Sequence, residues 1–311
     1  MIVTELYNGQ GLGNQLWCYI VTRVIASKNG YDFGIMSPNK FKGSDFIDID
    51  FGKEIIGGSG PEGGPPNKLP NGIDSYYREK MTIEPTYNCD VSHLDEKLFN
   101  IKDNTKIDGI MQDENYIIDY KKEIIEWIKI KPEKNFLDYS NDNTCVIHIR
   151  GGDFKSSSAI LNKKYYIDSI EKMRTIKNIE NFVVVTDDVD YSRSILPDVE
   201  IISSSINGTD QIKARHHIGG PIYKDFTILK NAKYSIISSS SFAWWATWIN
   251  TKNEFVIAPK YWGSHKTSNG FWSTGGSLTK DWNYMDKNGD LFSYDECKKE
   301  TIEYYKLKNI I

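Results

Sequence analysis

Apolar and polar positions along this chain switch between strand-like runs and helical spacing. IVTELY (2–7) predicts a first strand, GQGLGNQ (9–15) a tight glycine turn, and Leu16 to Lys28 an amphipathic helix closed by Asn29-Gly30. YDFGIM (31–36) predicts the next strand, so the chain opens as strand, turn, helix, strand, the start of an α/β layer. ENYIIDYKKEIIEWIKIK (114–131) has the period of one long amphipathic helix, stopped by Pro132. The pattern then restarts. TCVIHIR (144–150) predicts a strand, and NKKYYIDSIEKMRTI (162–176) a helix with Tyr166, Ile170 and Met173 on one face. NFVVVTDD (181–188) and VEIISS (199–204) predict two strands, and DFTILKNA (225–232) a helix. YSIISSSS (234–241) predicts a strand, SFAWWATWIN (241–250) a helix and EFVIAP (254–259) a final strand. This order argues for a second, mostly parallel α/β domain, with a boundary near residue 140 dividing 1–140 from 141–311 and its C-terminal helical tail.

One stretch fits neither period. GGSGPEGGPPNKLPNG (57–72) is too rich in glycine and proline for a helix or a central strand. Inside a globular chain a loop of that length is either disordered or a functional flap.

Four local patterns carry chemistry. The first is the glycine turn, whose backbone N–H groups can approach an anion at the positive end of the following helix. Gly9, Gly11 and Gly13 fall short of a dinucleotide fingerprint because Asn14 stands where its last glycine belongs, although Asp32 lies at the distance of a ribose-binding acid. The second is HIRGGD (148–153). Strand alternation predicts that His148 and Arg150 project to the same side, two glycines permit close backbone approach, and the Arg150 fork suits a phosphate. Asp153 would hold that arginine or cap the next turn; an Arg–Asp surface pair with an interior His148 is the plainer alternative. The third is Asp187-Asp188, just past a predicted parallel strand, where open α/β sheets bind ligands and where Asp188 could equally cap a helix. The fourth is SIISSSSFAWWATW (235–248), in which serine hydroxyls meet a helix N-terminus able to take a phosphate, while Trp244, Trp245 and Trp248 pack as core.

Bulk properties narrow the class. The 311 residues are 39% hydrophobic and 26% charged, enough for one large or two ordinary globular domains. A net charge of −4 with mixed signs and no basic stripe argues against a nucleic-acid partner. The 13% aromatic content suits sugar stacking as well as an ordinary core. Cys18, Cys89, Cys145 and Cys297 are irregularly spaced, which suggests neither a zinc site nor a disulfide framework and fits a reducing cytoplasm. No signal peptide or spanning run is expected, so any membrane contact would be peripheral, at a membrane carrying a lipid-linked glycan. No D-x-D with suitable flanks appears, and D-I-D (48–50) lies far from the other motifs, so no metal site is expected.

Taken together, GQGLGNQL, HIRGGD, TDD and SSFAWWATW followed by VIAPKYW resemble the α-1,2-fucosyltransferases of glycosyltransferase family eleven, kin to α-1,6- and protein O-fucosyltransferases. The motifs occur in the family's order and cover residues 9 to 262. The resemblance implies a GT-B-like fold of two Rossmann-like domains facing a cleft, with the acceptor on the first half and the nucleotide sugar on the second. It assigns the donor diphosphate to Arg150 with His148 beside it, ribose or guanine to Asp187 or Asp188, and donor contacts to Ser240, Ser241 and Phe242. Gly11, Gly13 and Asn14 would line the cleft. No cofactor is implied beyond GDP-fucose as substrate. Two positions depart from the family: Gly151 stands where a second arginine is usual, and Ser239 where asparagine is usual. Lys155, Lys213, Arg215, His216 and His217 are candidates to supply that charge, with the 215–217 trio preferred.

The expected activity is therefore inverting, metal-independent transfer of fucose from GDP-fucose to a galactoside hydroxyl in α-1,2-linkage. Asp153 is a candidate base, and a carboxylate of the first half its rival. A different nucleotide-sugar donor, or a non-catalytic sugar-binding homologue, is the alternative.

Overall fold

A computed structural model describes residues 1–84, 89–91, 94–135, 137–141, 143–157, 159–202, 222–260 and 278–309. The KARHH segment (213–217) lies outside the described residues. The chain divides into two compact units, Met1–Lys129 and Ile130–Ile311. Residues 130–140 thus go with the second unit: Asn231 donates to Asn135 Oδ1 at 2.8 Å, and Tyr139 bridges to Ala232.

The first unit holds a four-stranded sheet in the order β2-β1-β4-β3, built from β1 (Ile2–Glu5), β2 (Phe33–Met36), β3 (Ser75–Arg78) and β4 (Thr105–Asp108). All three pairings are parallel. Between β1 and β2 runs α1 (Leu12–Asn29), capped by Gly11 and ended by Gly30 in the left-handed conformation. Its apolar residues are buried almost all round, so α1 starts four residues earlier than its periodic stripe predicts and absorbs half of the glycine turn.

Two expectations for this unit change. The 57–72 stretch forms a small antiparallel hairpin, Gly57–Ser59 against Lys68–Pro70, tied down by Arg78 Nη1 on the Gly63 carbonyl (2.7 Å) and by a Lys40–Glu62 ion pair (3.1 Å). The long helix expected over 114–131 is broken: two 3-10 turns, Glu114–Tyr116 and Ile118–Tyr120, precede a short α2 (Lys121–Trp127). Tertiary hydrogen bonds override the helical period. The Tyr116 hydroxyl accepts from Asp95 N and donates to Glu79 Oε1, which anchors the segment before a continuous helix can form.

The second unit is a seven-stranded sheet flanked by helices. Its elements are β5 (Thr144–Ile149), α3 (Lys163–Lys177), β6 (Asn181–Thr186), α4 (Val189–Ile195), β7 (Glu200–Ile201), α5 (Ile222–Lys230), β8 (Tyr234–Ile236), α6 (Ser241–Trp248), β9 (Phe255–Pro259), β10 (Asn283–Met285), β11 (Leu291–Ser293) and α7 (Tyr294–Leu307). Strand order is β7-β6-β5-β8-β9-β10-β11, parallel except for β11. The motif strands fall as expected, with two additions. Helix α4 links β6 to β7, as two parallel neighbours require. Phe255–Pro259 is not the last strand, since β10 pairs with it and β11 closes the edge antiparallel. Helix α7 begins with a reciprocal capping box between Ser293 and Glu296.

A core of Ile147, Tyr166, Met173, Val184, Ile236 and Ile257 holds α3 against the sheet. Among the described residues no helix is long and apolar enough to cross a membrane.

Candidate functional site

The strand order fixes where a ligand can sit. From central β5 the chain runs outward through β6 and β7, then returns to β8 on the other side of β5 and continues through β9 and β10. Such a reversal leaves a crevice beyond the carboxyl ends of the two strands that flank it. HIRGGD follows β5, the serine run follows β8, and Asp187-Asp188 follows the adjacent β6. Three separate sequence motifs thus meet at one edge.

Strand β5 is buried along its whole length, as suits a parallel strand covered on both faces. It stops at Ile149, and Arg150 lies in the short connection before the Gly152–Ser156 turn. His148 is only 4% exposed. Its Nδ1 shares a 2.7 Å hydrogen bond with Ser238 Oγ, and its ring lies 6.1 Å from that of Phe242. Burial, reinforced by the nearby Arg150 charge, lowers the imidazole pKa to about 3. The ring is therefore neutral at ordinary pH and serves as a fixed hydrogen-bonding group.

Arg150 is held at both ends of its fork. Nη1 lies 2.7 Å from Asp187 Oδ2 and Nη2 lies 2.7 Å from Asp153 Oδ1, while the guanidinium sits 5.2 Å from the Phe154 ring centroid. The two glycines bring their backbone to the same carboxylates. Gly151 N donates to Asp187 Oδ1 at 2.8 Å, and Gly152 N donates to Asp188 Oδ2 at 3.2 Å. Both positions need the absence of a side chain. A Cβ at 151 would lie 2.5 Å from Asp188 Cβ, and Gly152 has φ +38° with Asp187 Oδ2 only 2.6 Å from where its Cβ would be.

The two aspartates differ electrostatically. Burial raises the Asp187 pKa above the usual carboxylate range, against the opposing pull of Arg150. Burial acts the same way on Asp188, but Lys155 and the backbone N–H groups of Tyr191 and Gly152 outweigh it and hold the pKa below the usual range. Asp188 Oδ1 accepts from Tyr191 N at 3.0 Å as the N-cap of α4, while Oδ2 faces Lys155 Nζ at 2.5 Å.

On the β8 side, Ser238, Ser239 and Ser240 are all buried. Ser240 caps α6 through its backbone alone, without a side-chain hydrogen bond. Ser239 Oγ has no hydrogen-bond partner among the described residues. Beneath the loop, the Tyr165 hydroxyl donates to the Ile237 carbonyl at 2.6 Å. Ser241 opens α6, and Phe242 packs edge-on against Phe226. Trp244, Trp245 and Trp248 are core, with Trp244 Nε1 donating to Thr279 Oγ1. Ser238 and Tyr165 are further members of the site beyond those expected. Ser238 was open to discovery as a member of the serine run; Tyr165 carried no local signal.

The remaining predicted residues belong to the first unit. Gly11 caps α1, and Gly13 and Asn14 lie within its first turn. Asn14 Oδ1 accepts from Gln112 Nε2 at 2.9 Å. Asp32 precedes β2, at its amino end, which removes the ribose-binding acid that a dinucleotide reading needs. At the carboxyl end of this sheet Asp108 accepts from the Tyr76 hydroxyl (3.1 Å) and Gly109 N (3.0 Å), and Glu79 accepts from Met111 N (2.7 Å).

Known proteins resemble this chain over part of its length. An alpha-1,2-colitosyltransferase of Escherichia coli is 32% identical over 184 residues, covering 55% of this chain and 61% of its own. The O-antigen biosynthesis glycosyltransferase WbnK of Escherichia coli is 24% identical over 139 residues, covering 41% of this chain and 42% of its own. The chain thus spans less than two thirds of the lengths of these relatives. Among solved structures, the fucosyltransferase NodZ from Bradyrhizobium superposes with a TM-score of 0.44 at 14% identity, over 83% of this chain and 94% of that one. The family model for glycosyl transferase family 11 matches residues 87–286, most of the second unit and well over half of the sequence, and the chain belongs to that family.

Proposed function

We propose that the chain is an inverting glycosyltransferase that moves fucose from GDP-fucose to a galactoside hydroxyl of a glycan in α-1,2-linkage. The observation that carries this reading is the Arg150 fork at the strand-order reversal, joined through His148 and Ser238 to the serine loop that leads into α6. As the bond from C1 of the sugar to the diphosphate breaks, negative charge collects on the leaving GDP. An arginine fork, glycine N–H groups and a helix N-terminus without a side-chain cap would stabilise that charge as it develops. Asp187 and Asp153 would keep the fork aligned until phosphate oxygens take their place. Buried Ser239, whose hydroxyl has no partner among the described residues, would donate to the same anion. On this reading no cofactor is needed, and the acceptor glycan contacts the first unit, including the 57–72 hairpin.

A second donor has specific support. The relative that is 32% identical is named a colitosyltransferase. Colitosyl and fucosyl groups differ by one ring hydroxyl, so a site can separate them through a single buried hydrogen-bonding group. The test is to supply GDP-fucose and GDP-colitose separately with galactoside acceptors, read the product mass, and assign anomer and linkage by NMR. An α-1,2-linked product from either nucleotide sugar is expected. Absence of both transfer and GDP release with either donor would reject the reading.

A further inference from the structure

We propose that Lys155 is the second cation of the donor subsite: it releases Asp188 when a nucleoside diphosphate binds and pairs with the diphosphate beside Arg150. This rests on the donor reading given above. The 3-10 turn Gly152–Ser156 is separated from Arg150 by Gly151 alone, so one short segment at the end of β5 carries both cations. They face three carboxylates: Arg150 meets Asp153 and Asp187, and Lys155 meets Asp188. The cluster therefore has two positive and three negative charges, and every cation is already paired, so an incoming anion gains a second contact only where a cation turns from its carboxylate toward it.

Position 151 cannot supply that cation, because any side chain there must first displace Asp188, whose Cβ would lie 2.5 Å from the new Cβ. Lys155 is the next cation along the turn, and about half of its side chain is exposed. It also lines a cavity of about 380 Å³ with Ile160, Leu161, Asn162 and Tyr191, which gives its ammonium room to move. The exchange leaves α4 intact. Asp188 caps that helix through Oδ1 and meets Lys155 through Oδ2, so losing the lysine does not remove the cap. Gly152 N stays as the partner of Oδ2.

Calorimetric or competition titration of GDP and guanosine with the wild type, Lys155→Gln and Lys155→Arg distinguishes the possibilities. A lost charge-assisted contact predicts a Kd for GDP raised ~10-fold in Lys155→Gln, guanosine affinity unchanged, and a shallower salt dependence for GDP. Lys155→Arg keeps most of the affinity. The ratio of the two affinities is internal to each variant, so partial unfolding leaves it unaltered. Equal loss of GDP and guanosine, or no loss of GDP, overturns the assignment of Lys155. Failure of the wild type to bind GDP at all would instead reject the donor reading on which it rests.

Discussion

His148 Nδ1 and Ser238 Oγ lie 2.7 Å apart, and this buried bond ties the end of β5 to the loop after β8 across the reversal in strand order. It links two motifs 90 residues apart in the chain. Ser238→Ala leaves a buried ring nitrogen without its partner, which costs ~1–3 kcal/mol of stability. The expected result is a lower thermal midpoint together with a loss of transfer that exceeds the loss of folded protein. A variant with wild-type kcat would show that the bond does not position the serine loop.

The same histidine makes stability depend on pH. In the folded chain it takes up a proton only near pH 3, whereas in the unfolded chain it does so near its ordinary value of about 6.5. Between those values the unfolded chain binds more protons, so this contribution is whole above about pH 6.5 and falls away as pH drops toward 3. Thermal midpoints of the wild type and His148→Gln measured across that window should converge on acidification. Parallel curves would count against a buried neutral imidazole.

Arg150→Ala should abolish transfer and weaken GDP binding by ~1.5–3 kcal/mol, the scale of a hydrogen bond to a charged group. Arg150→Lys should restore little. The fork meets Asp187 with one nitrogen and Asp153 with the other, and a single ammonium cannot keep both in that planar geometry. A lysine variant retaining most of the activity would rule out the two-pronged grip.

Gly151→Ala drives a methyl group into Asp188, the cap of α4, so the thermal midpoint should fall by the equivalent of about 1–2 kcal/mol, the scale of a lost N-cap. Gly11→Ala is the matched control for stability. Its Cβ would meet nothing within 4 Å, and its backbone is extended, so its midpoint should barely change. Similar midpoints for the two variants would contradict the Gly151–Asp188 packing.

Transfer should survive exhaustive EDTA treatment, because the proposed leaving-group stabilisation uses Arg150, Lys155 and backbone N–H groups rather than a bridging cation. Loss of activity with EDTA, recovered on adding manganese or magnesium, would assign the site to another class.

What local physics governs was readable in advance. The strand–turn–helix opening and the β5 and α3 stretches follow from periodicity and short-range hydrogen bonding, whereas Asp188 had the chemistry of a cap but α4, the helix it caps, was not expected. The ion pair of Arg150 with Asp153 spans three residues and was readable for the same reason. The helix expected over 114–131 failed because Tyr116 finds its partners at Glu79 and Asp95, distances along the chain that no local pattern encodes. The strands β10 and β11 are three residues each, too short to show a period.

The sequence by itself determined which residues could bear the chemistry: an arginine fork after a buried strand, paired aspartates after another, and serines entering a tryptophan-rich helix. Only the tertiary structure decided that they share one edge. Placing β8 beside β5 depends on backbone pairing of Cys145, Val146 and Ile147 with Tyr234, Ser235 and Ile236, and on burial of both sheet faces. It also decided why position 151 is glycine. The space that a side chain would fill is occupied by Asp188, and excluded volume between residues 36 or more apart is set by packing, not by the order of residues in the chain.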